Sequence, residues 1–228
     1  MTVNRVVIDS YNIFKSSAVC ILFPLLLFHQ SFSPISRQDE IVQMELEIES
    51  LKASGADGFV FGLLTSDGHV DSPNCQRLVK LCQPLPVTFH RAFDLCAYWP
   101  RAISEIRAAG FSRVLTSGQS KSAYEGRNCL REIASVVKDW RDFGIIAGCG
   151  VTAKNIGKIV EDTGVEEIHA SAKMKVSSKM IRRHGSVVIG HGGGAGGGSK
   201  DDDDATYVCA AGTVAALKNA LKSLSIPL

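Results

Sequence analysis

Hydrophobic and polar residues follow two patterns that alternate after residue 37. The first is helical and is seen in residues 38–53. Its apolar members lie three or four positions apart: Ile41, Met44, Ile48 and Leu51. That spacing puts them on one face and predicts an amphipathic helix. The second pattern is a short apolar run bounded by glycine or polar residues, such as GFVFG at 58–62. Runs of this kind predict buried β-strands.

The two patterns repeat in a regular order along the chain. Strands are predicted at 58–62, 85–91, 113–117, 144–147 and 167–171. Helices are predicted at 38–53, 71–81, 98–109, 123–140, 153–162 and 213–224. Successive strands begin 23–31 residues apart. This spacing is typical of βαβ units, whose crossover helices join the strands into a parallel sheet.

The predicted fold class is α/β, a TIM-barrel-like (β/α) parallel barrel with about five clear βα units. A closed (β/α)8 barrel has eight strands, and residues 1–57 have room for one helix and at most one or two strands. We therefore expect an incomplete barrel whose first strands are missing or replaced. Open sheet edges favour association, so self-association through them is predicted.

Residues 1–37 differ from the barrel domain that is predicted over residues 38–228. Residues 4–14 have the mixed alternation of a single strand, and residues 18–28 (AVCILFPLLLF) are almost purely apolar. The apolar run has the length of a signal-peptide core, but no clear cleavage site follows it. A buried or poorly ordered segment, a secretory signal and a membrane-associated hairpin all remain open.

A second unusual segment, residues 190–204 (GHGGGAGGGSKDDDD), is rich in glycine and then in aspartate. It contains no large apolar side chain that a core would bury. We predict a loop between the fifth strand and the last helix, dispensable for folding. The glycines lack the strand–glycine–helix context of a nucleotide-binding loop.

Composition narrows the class of protein. Hydrophobic residues make up 45% of the 228 residues and charged residues 21%, which is ordinary for a globular chain. The net charge of +2 predicts no nucleic-acid partner. No apolar run reaches the roughly 18 residues that span a bilayer, so no membrane partner is expected. The seven cysteines are an odd number without a C-x-x-C pair, which favours free thiols in the cytoplasm.

The segment TFHRAFD at 88–94 contains the strongest candidate chemistry. On a strand, Thr88 and His90 share one face, which we expect to be the barrel interior. Arg91 and Asp94 then follow at the mouth. His90, Arg91 and Asp94 are the candidate catalytic residues, since together they can bind an anion, ligate a metal or move a proton. The alternative is a structural Arg91–Asp94 pair with a hydrogen-bonded His90.

Other predicted strands also end in polar or glycine residues at the same mouth. The candidate ligand-binding residues are Thr88, Thr116, Ser117, Gly118, Gly148, Gly150 and Ser171. His169 shares a strand face with Ser171. The backbone amides between residues 148 and 152 precede a predicted helix, where they can meet a phosphate or carboxylate. These residues predict a polar pocket but do not specify a reaction.

Five motifs together resemble the copper homeostasis protein CutC family. They are GADGFVFGLLTSDGHVD (55–71), PLPVTFHRAFD (84–94), GFSRVLTSG (110–118), the glycine run before VT (151–152), and EIHASAK (167–173). The resemblance covers roughly residues 38–228. It implies a TIM-barrel-like fold, a cytosolic setting, and copper binding and homeostasis. The family positions that it carries over are His90, Arg91, Asp94, Ser117, Gly118, Gly150 and His169.

The chain departs from the family pattern at its beginning. Family members open with cysteine motifs of the types V-C-V-D-S and E-L-C-S and with an I-R-P-R-G-G segment, and residues 1–37 contain none of these. The copper ligand candidates that remain are His90, His169, Cys96 and Cys149, because imidazole and thiolate suit copper. We therefore expect weaker Cu(I) binding than in a full-length member.

Three functions remain open from the sequence. The first is copper binding and homeostasis, with the copper ion as partner. The second is a barrel enzyme that acts on a small anionic substrate, with His90 as acid or base and Arg91 as the anion anchor. The third is an inactive truncated paralogue.

Overall fold

The computed structural model describes residues 5–8, 38–177 and 205–222. The helices of this part are α1 (Gln38–Ala53), α2 (Ser72–Cys82), α3 (Trp99–Ala108), α4 (Arg127–Val137), α5 (Ile156–Thr163) and α6 (Ala211–Lys222). The strands are β1 (Arg5–Ile8), β2 (Phe59–Phe61), β3 (Val87–Phe89), β4 (Arg113–Thr116), β5 (Gly144–Ala147), β6 (Glu167–Ala170), β7 (Lys173–Ser177) and β8 (Ala205–Cys209). The predicted alternation of strands and helices is confirmed.

Strands β1 to β6 form one parallel sheet in the order β1-β6-β5-β4-β3-β2. Within the described ranges the sheet does not close, so β1 and β2 are its two edge strands. The single strand expected in residues 4–14 is β1, which pairs with β6. The predicted arrangement, a parallel (β/α) sheet that falls short of a complete barrel, is confirmed for this part of the chain.

One face of the sheet is covered by helices. Its side chains are almost all apolar and none is more than 8% exposed: Phe59, Phe61, Val87, Phe89, Val114, Thr116, Ile145, Ala147, Ile168 and Ala170. All of them except Thr116 share one hydrophobic core with helix residues such as Leu78, Ile103, Leu130 and Ile159. Burial of this apolar surface holds the helices on that face.

The opposite, inner face has a different composition. Thr88 pairs with Arg113, and Arg113 pairs with Gly144 on the next strand. Two positions further along β5, Ile146 pairs with Glu167. Paired residues in a sheet point to the same side, as do residues two apart on one strand. Thr88, Arg113 and Glu167 therefore share the inner face, where Arg113 Nε lies 2.9 Å from both carboxylate oxygens of Glu167.

The two histidines of interest belong to this same face. His90 lies two positions after Thr88, and His169 lies two positions after Glu167. Both are partly buried. Thr88, His90 and His169 thus share the inner face, whereas Thr116, the polar end of β4, is on the helix-covered face.

Helix α1 packs on α2 through the predicted apolar stripe. Ile41, Met44 and Ile48 are buried, as the 3.6-residue spacing predicts. Lys52 Nζ donates to the carbonyl oxygens of Leu81, at 2.8 Å, and Gln83 at the end of α2. None of the helices in the described ranges has the length and apolarity that a membrane crossing requires.

Helix α4 is shorter than the predicted helix at 123–140. Before it, the backbone N–H of Ala123 donates to the carbonyl of Cys149 at 3.0 Å, which ties this segment to the loop after β5. A Cβ on Gly126 would lie 1.9 Å from the carbonyl oxygen of Ser117. Residues 123–126 are therefore a turn packed against the loop after β4, and the helix begins at Arg127.

The antiparallel pair β7–β8 was not predicted. It aligns Met174 with Val208 across residues that are far apart in sequence. Both side chains are about half exposed, at 50% and 40%. The glycine- and aspartate-rich segment 190–204 lies outside the described residues, as do residues 9–37 with the apolar run 18–28. The predictions made for those segments stay predictions.

Replacing Gly62 by alanine should destabilise the fold, whereas the same change at Gly144 should not. A Cβ at Gly62 would lie 2.8 Å from the ring of the fully buried Phe89 and 2.8 Å from His90 Nδ1. The overpacking should lower the free energy of unfolding by about 1–3 kcal/mol. A Cβ at Gly144 would meet no atom within 4 Å, so Gly144→Ala is the matched control. Urea denaturation measures the free energy of unfolding of the two variants. An equal loss in both would contradict the described packing.

Candidate functional site

The candidate site lies at the carboxyl ends of β3, β4, β5 and β6, on the inner side of the sheet. After β3 the chain enters a 3₁₀ helix, Arg91–Leu95. After β4 it enters a loop in which Gly118 and Gln119 have φ values of 71° and 53°. Parallel strands bring all four ends to one edge of the sheet. The sequence prediction of a mouth built from these strand ends agrees with this arrangement.

His90 caps the 3₁₀ helix with its side chain. Its Nδ1 accepts a hydrogen bond from the backbone N–H of Ala92 at 3.4 Å. The backbone N–H of His90 donates to the carbonyl of Phe61 at 3.1 Å. Burial lowers the pKa of the His90 imidazole to about 4, so the ring is neutral at physiological pH. In the neutral ring with an accepting Nδ1, the proton is on Nε2.

This tautomer bears on the roles predicted for His90. A histidine that ligates a metal coordinates through one nitrogen and donates from the other. In His90 the nitrogen with the lone pair, Nδ1, already accepts a hydrogen bond from the backbone N–H of Ala92. With this bond in place, the geometry favours a neutral hydrogen-bond donor over a metal ligand or a general base.

Asp94 is the centre of the hydrogen-bond network at the mouth. Its side chain is 7% exposed and accepts from Arg91 Nε at 2.8 Å and Thr116 Oγ1 at 2.5 Å. It also accepts from the backbone N–H groups of Ser117, at 3.0 Å, and Gln119, at 3.1 Å. Ser117 Oγ lies 2.9 Å away. A carboxylate surrounded by this many donors holds a loop in place, and this is the structural alternative left open by the sequence.

Arg91 keeps part of its hydrogen-bonding capacity. Its side chain is 42% exposed, with Nε bonded to Asp94 and Nη2 donating to Ser117 Oγ at 3.1 Å. Nη1 has no partner among the described residues. The pairing with Asp94 therefore orients the guanidinium and leaves donors at the mouth for an anion.

The candidate ligand-binding residues after β4 are used within the fold. Thr116 and Ser117 are fully buried, and their hydroxyl groups lie in the Asp94 network. The N–H of Gly118 donates to Thr116 Oγ1 at 2.9 Å. These groups shape the mouth, and their hydrogen bonds are already made.

The loop after β5 is also largely satisfied by its own residues. The N–H of Thr152 donates to Asn155 Oδ1 at 2.8 Å, and Asn155 Nδ2 donates to the carbonyl of Gly150 at 2.9 Å. The N–H of Gly148 donates to the carbonyl of Thr116 at 2.9 Å. These bonds occupy amides that the sequence analysis offered to a phosphate or carboxylate.

Cys149 and His169 lie at the ends of neighbouring strands. A Cβ on Gly148 would be 3.2 Å from His169 Cβ, so the two backbones approach closely next to Cys149. The Cys149 thiol is half-buried and donates to the carbonyl of Lys121 at 3.3 Å. Its φ of 81° is in the left-handed region, which non-glycine residues rarely adopt. Ser171 lies two residues beyond His169 and is exposed.

Cys96 has a separate environment at the end of the 3₁₀ helix. It is 6% exposed, and Gln119 Nε2 donates to its sulfur at 3.4 Å and to its carbonyl at 2.9 Å. Burial raises the pKa of the Cys96 thiol to about 11, so it is protonated at neutral pH. In the part of the chain that the structure describes, no group of three or more His, Cys, Asp and Glu side chains could hold a metal.

Two residues at the site were missed from the sequence. Gln119 fixes Cys96 and contributes an N–H to Asp94. Gly62 leaves the space that the His90 ring occupies. A glycine directly after the apolar run FVF was a usable signal, because glycine at a strand end marks a close approach of other groups.

Similar proteins are known from animals and bacteria. The copper homeostasis protein cutC homologs of Mus musculus and Homo sapiens are 43% and 42% identical over 66% of this chain. The chain spans 55% of the length of each. The CutC crystal structure from Streptococcus agalactiae has a TM-score of 0.56 and 30% identity, and the match covers 60% of this chain and 66% of that chain.

The family model described as CutC family matches residues 31–174, which is more than half of the chain. These residues contain α1 to α5, β2 to β6 and the whole Asp94 network. The resemblance seen in the sequence motifs is confirmed, and the chain belongs to the CutC family.

Proposed function

We propose that the protein acts in copper homeostasis by binding Cu(I). The proposal is supported by family membership and by the mouse and human relatives, which are named copper homeostasis protein cutC homologs. The chain spans 55% of each of those two relatives, so their function is extended to it here as a proposal.

Cys149 and His169 are the ligands we propose. They lie on adjacent strand ends, and thiolate with imidazole is a donor pair that suits Cu(I). Binding would replace the S–H donation from Cys149 to the Lys121 carbonyl and release the thiol proton. His90 is left out because its Nδ1 accepts a backbone N–H, and Cys96 because its sulfur is buried beside Gln119.

A competition titration with a Cu(I) chelator tests this assignment. Cys149→Ser and His169→Gln should each weaken Cu(I) binding about tenfold or more, since each removes one of two ligands. Cys129→Ser is the matched control, because Cys129 is also a half-buried free thiol. The wild-type chain should bind Cu(I) more weakly than the human relative, whose family carries additional early cysteine motifs. Unchanged affinity in both ligand variants would contradict the proposal.

A binding or catalytic role toward a small anion is the second candidate. The observation that favours it is the Arg91 guanidinium, which Asp94 orients and which keeps an unused Nη1 group within the described residues. His90 as its acid or base is not favoured, because burial lowers the pKa of the imidazole to about 4 and Nδ1 is engaged. An inactive paralogue would bind neither copper nor an anion.

We also propose that the chain self-associates through its open sheet edges, of which β2 is one. The backbone N–H and C=O groups of Phe59 and Phe61 form hydrogen bonds with β3. Those of Val60 therefore point away from the sheet, at its open edge. On α1, Val42 and Leu46 are also exposed apolar side chains, at 45% and 59%. Size-exclusion chromatography with light scattering should show a dimer or larger species. A monomer at micromolar concentration would refute this.

A cytoplasmic location is proposed as well. The cysteines whose side chains are described are all free: Cys75, Cys82, Cys96, Cys129 and Cys149. Free thiols persist in reducing compartments.

A further inference from the structure

We propose that a cavity at the amino ends of β4, β5 and β6 binds a small organic anion with an aromatic body and one carboxylate. In this site apolar and aromatic side chains hold the body of the ligand, while Lys138 and Arg141 bind its carboxylate. The cavity lies at the opposite edge of the sheet from the Asp94 network. The site is therefore separate from the copper ligands and goes beyond the function proposed above.

The first observation is the cavity itself. Its volume is about 480 Å³, which is within the roughly 300–1,000 Å³ of small-molecule sites. It is bordered by the end of α4, by the loop from α4 to β5, and by the residues directly before β4 and β6. Every residue that lines it belongs to the described part of the chain. A space of this size can admit a small molecule.

Part of the cavity wall is apolar and aromatic. Val137, Phe143 and Val165 line the cavity and belong to the hydrophobic core. Trp140 also lines it, and its ring packs edge-on against that of Phe143 with the centroids 5.7 Å apart. The guanidinium of Arg107 lies over the indole, 4.6 Å from its centroid. These contacts fix the indole, and a fixed indole beside apolar side chains suits an aromatic ligand.

Lys138 and Arg141 supply positive charge to the same cavity. Both residues line it and both are exposed, so they lie where the cavity opens to solvent. Neither side chain makes a hydrogen bond or an ion pair with a residue that the structure describes. Asp139, which lies between them in the sequence, does not line the cavity. Two cations without a partner in this part of the chain favour an anionic ligand.

The carboxylates that line the cavity do not cancel this charge. Asp142 pairs with Arg107 at 2.7 Å, and Glu167 pairs with Arg113 at 2.9 Å. The remaining carboxylate, that of Glu166, also has an interaction partner. Even if the charge of Glu166 is counted in full, the two cations at the opening leave the cavity with a net positive charge.

NMR titrations of the folded full chain with two probes test the proposal. 2-Naphthoate has an aromatic body and a carboxylate, whereas 2-naphthol has the same rings and is neutral at pH 7. 2-Naphthoate should bind about threefold or more tightly than 2-naphthol, because it gains two exposed ion pairs. The indole N–H signal of Trp140 should shift on binding. Trp99→Phe identifies that signal, since the chain has two tryptophans.

Variants separate the charge from the packing. Lys138→Gln and Arg141→Gln should each lower the preference for 2-naphthoate about twofold or more, because each removes one ion pair. Arg131→Gln is the matched control, since Arg131 is an exposed cation on α4 that does not line the cavity. Ala134→Leu should fill part of the cavity and weaken both probes. Thermal melts identify any variant that does not fold, and the ratio of the two affinities does not depend on the folded fraction.

Three results would each overturn the proposal. The first is equal affinity of the wild-type chain for the two probes, or no binding of either at millimolar concentration. The second is a preference for 2-naphthoate that Lys138→Gln and Arg141→Gln lower no more than Arg131→Gln does. The third is binding that neither shifts the Trp140 signal nor weakens in a folded Ala134→Leu chain. None of them bears on the copper proposal, whose ligands lie at the carboxyl ends of β5 and β6.

Discussion

The carboxylate of Asp94 joins the ends of two neighbouring strands, and the geometry of the mouth depends on it. It accepts from Arg91, which follows β3, and from Thr116, Ser117 and Gln119, which end or follow β4. A buried carboxylate is costly unless such donors surround it. With them in place, one side chain fixes both the loop after β4 and the direction of the guanidinium.

Consequences of this network extend along the mouth. Gln119, held by its N–H to Asp94, donates from its side chain to Cys96. Ser117, held in the same way, places its backbone carbonyl so close to Gly126 that a Cβ at position 126 would clash with it. The helices and the outer apolar face provide a stable support, but the Asp94 contacts decide which polar groups remain available. Arg91 Nη1 is one of them, since it has no partner among the described residues.

The short apolar runs and the 3.6-residue helical pattern predicted most of the fold, because they are local properties of the chain. The alternation of side chains along a strand, which is also local, assigned Thr88 and His90 to one face. Whether Arg91 and Asp94 were catalytic or paired could not be decided, since the answer depends on donors from Thr116 to Gln119, more than twenty residues away. The β7–β8 pair was missed for a related reason. The alternation in KMKVS at 173–177 is a strand signal, but its partner lies beyond residue 204.

The four copper ligand candidates predicted from residue type have different structural surroundings, which residue type does not predict. Residue type alone ranked His90, His169, Cys96 and Cys149 equally. The register of β5 and β6 brings Gly148 against His169, and Cys149 is the next residue along the chain. The hydrogen bond from the backbone N–H of Ala92 to His90 Nδ1 is likewise not indicated by any sequence pattern.

Hydrogen exchange of individual backbone amides tests the role of Asp94 most directly. In the wild-type chain the amides of Ser117 and Gln119 should exchange slowly, because both donate to this carboxylate. In Asp94→Asn they should exchange at least about tenfold faster, since one amide oxygen cannot replace two carboxylate oxygens. The amide of Gly144, which donates to the Ser112 carbonyl at the other end of the sheet, should be unchanged. Fast exchange of Ser117 and Gln119 in the wild-type chain, or equal rates in both chains, would contradict the account.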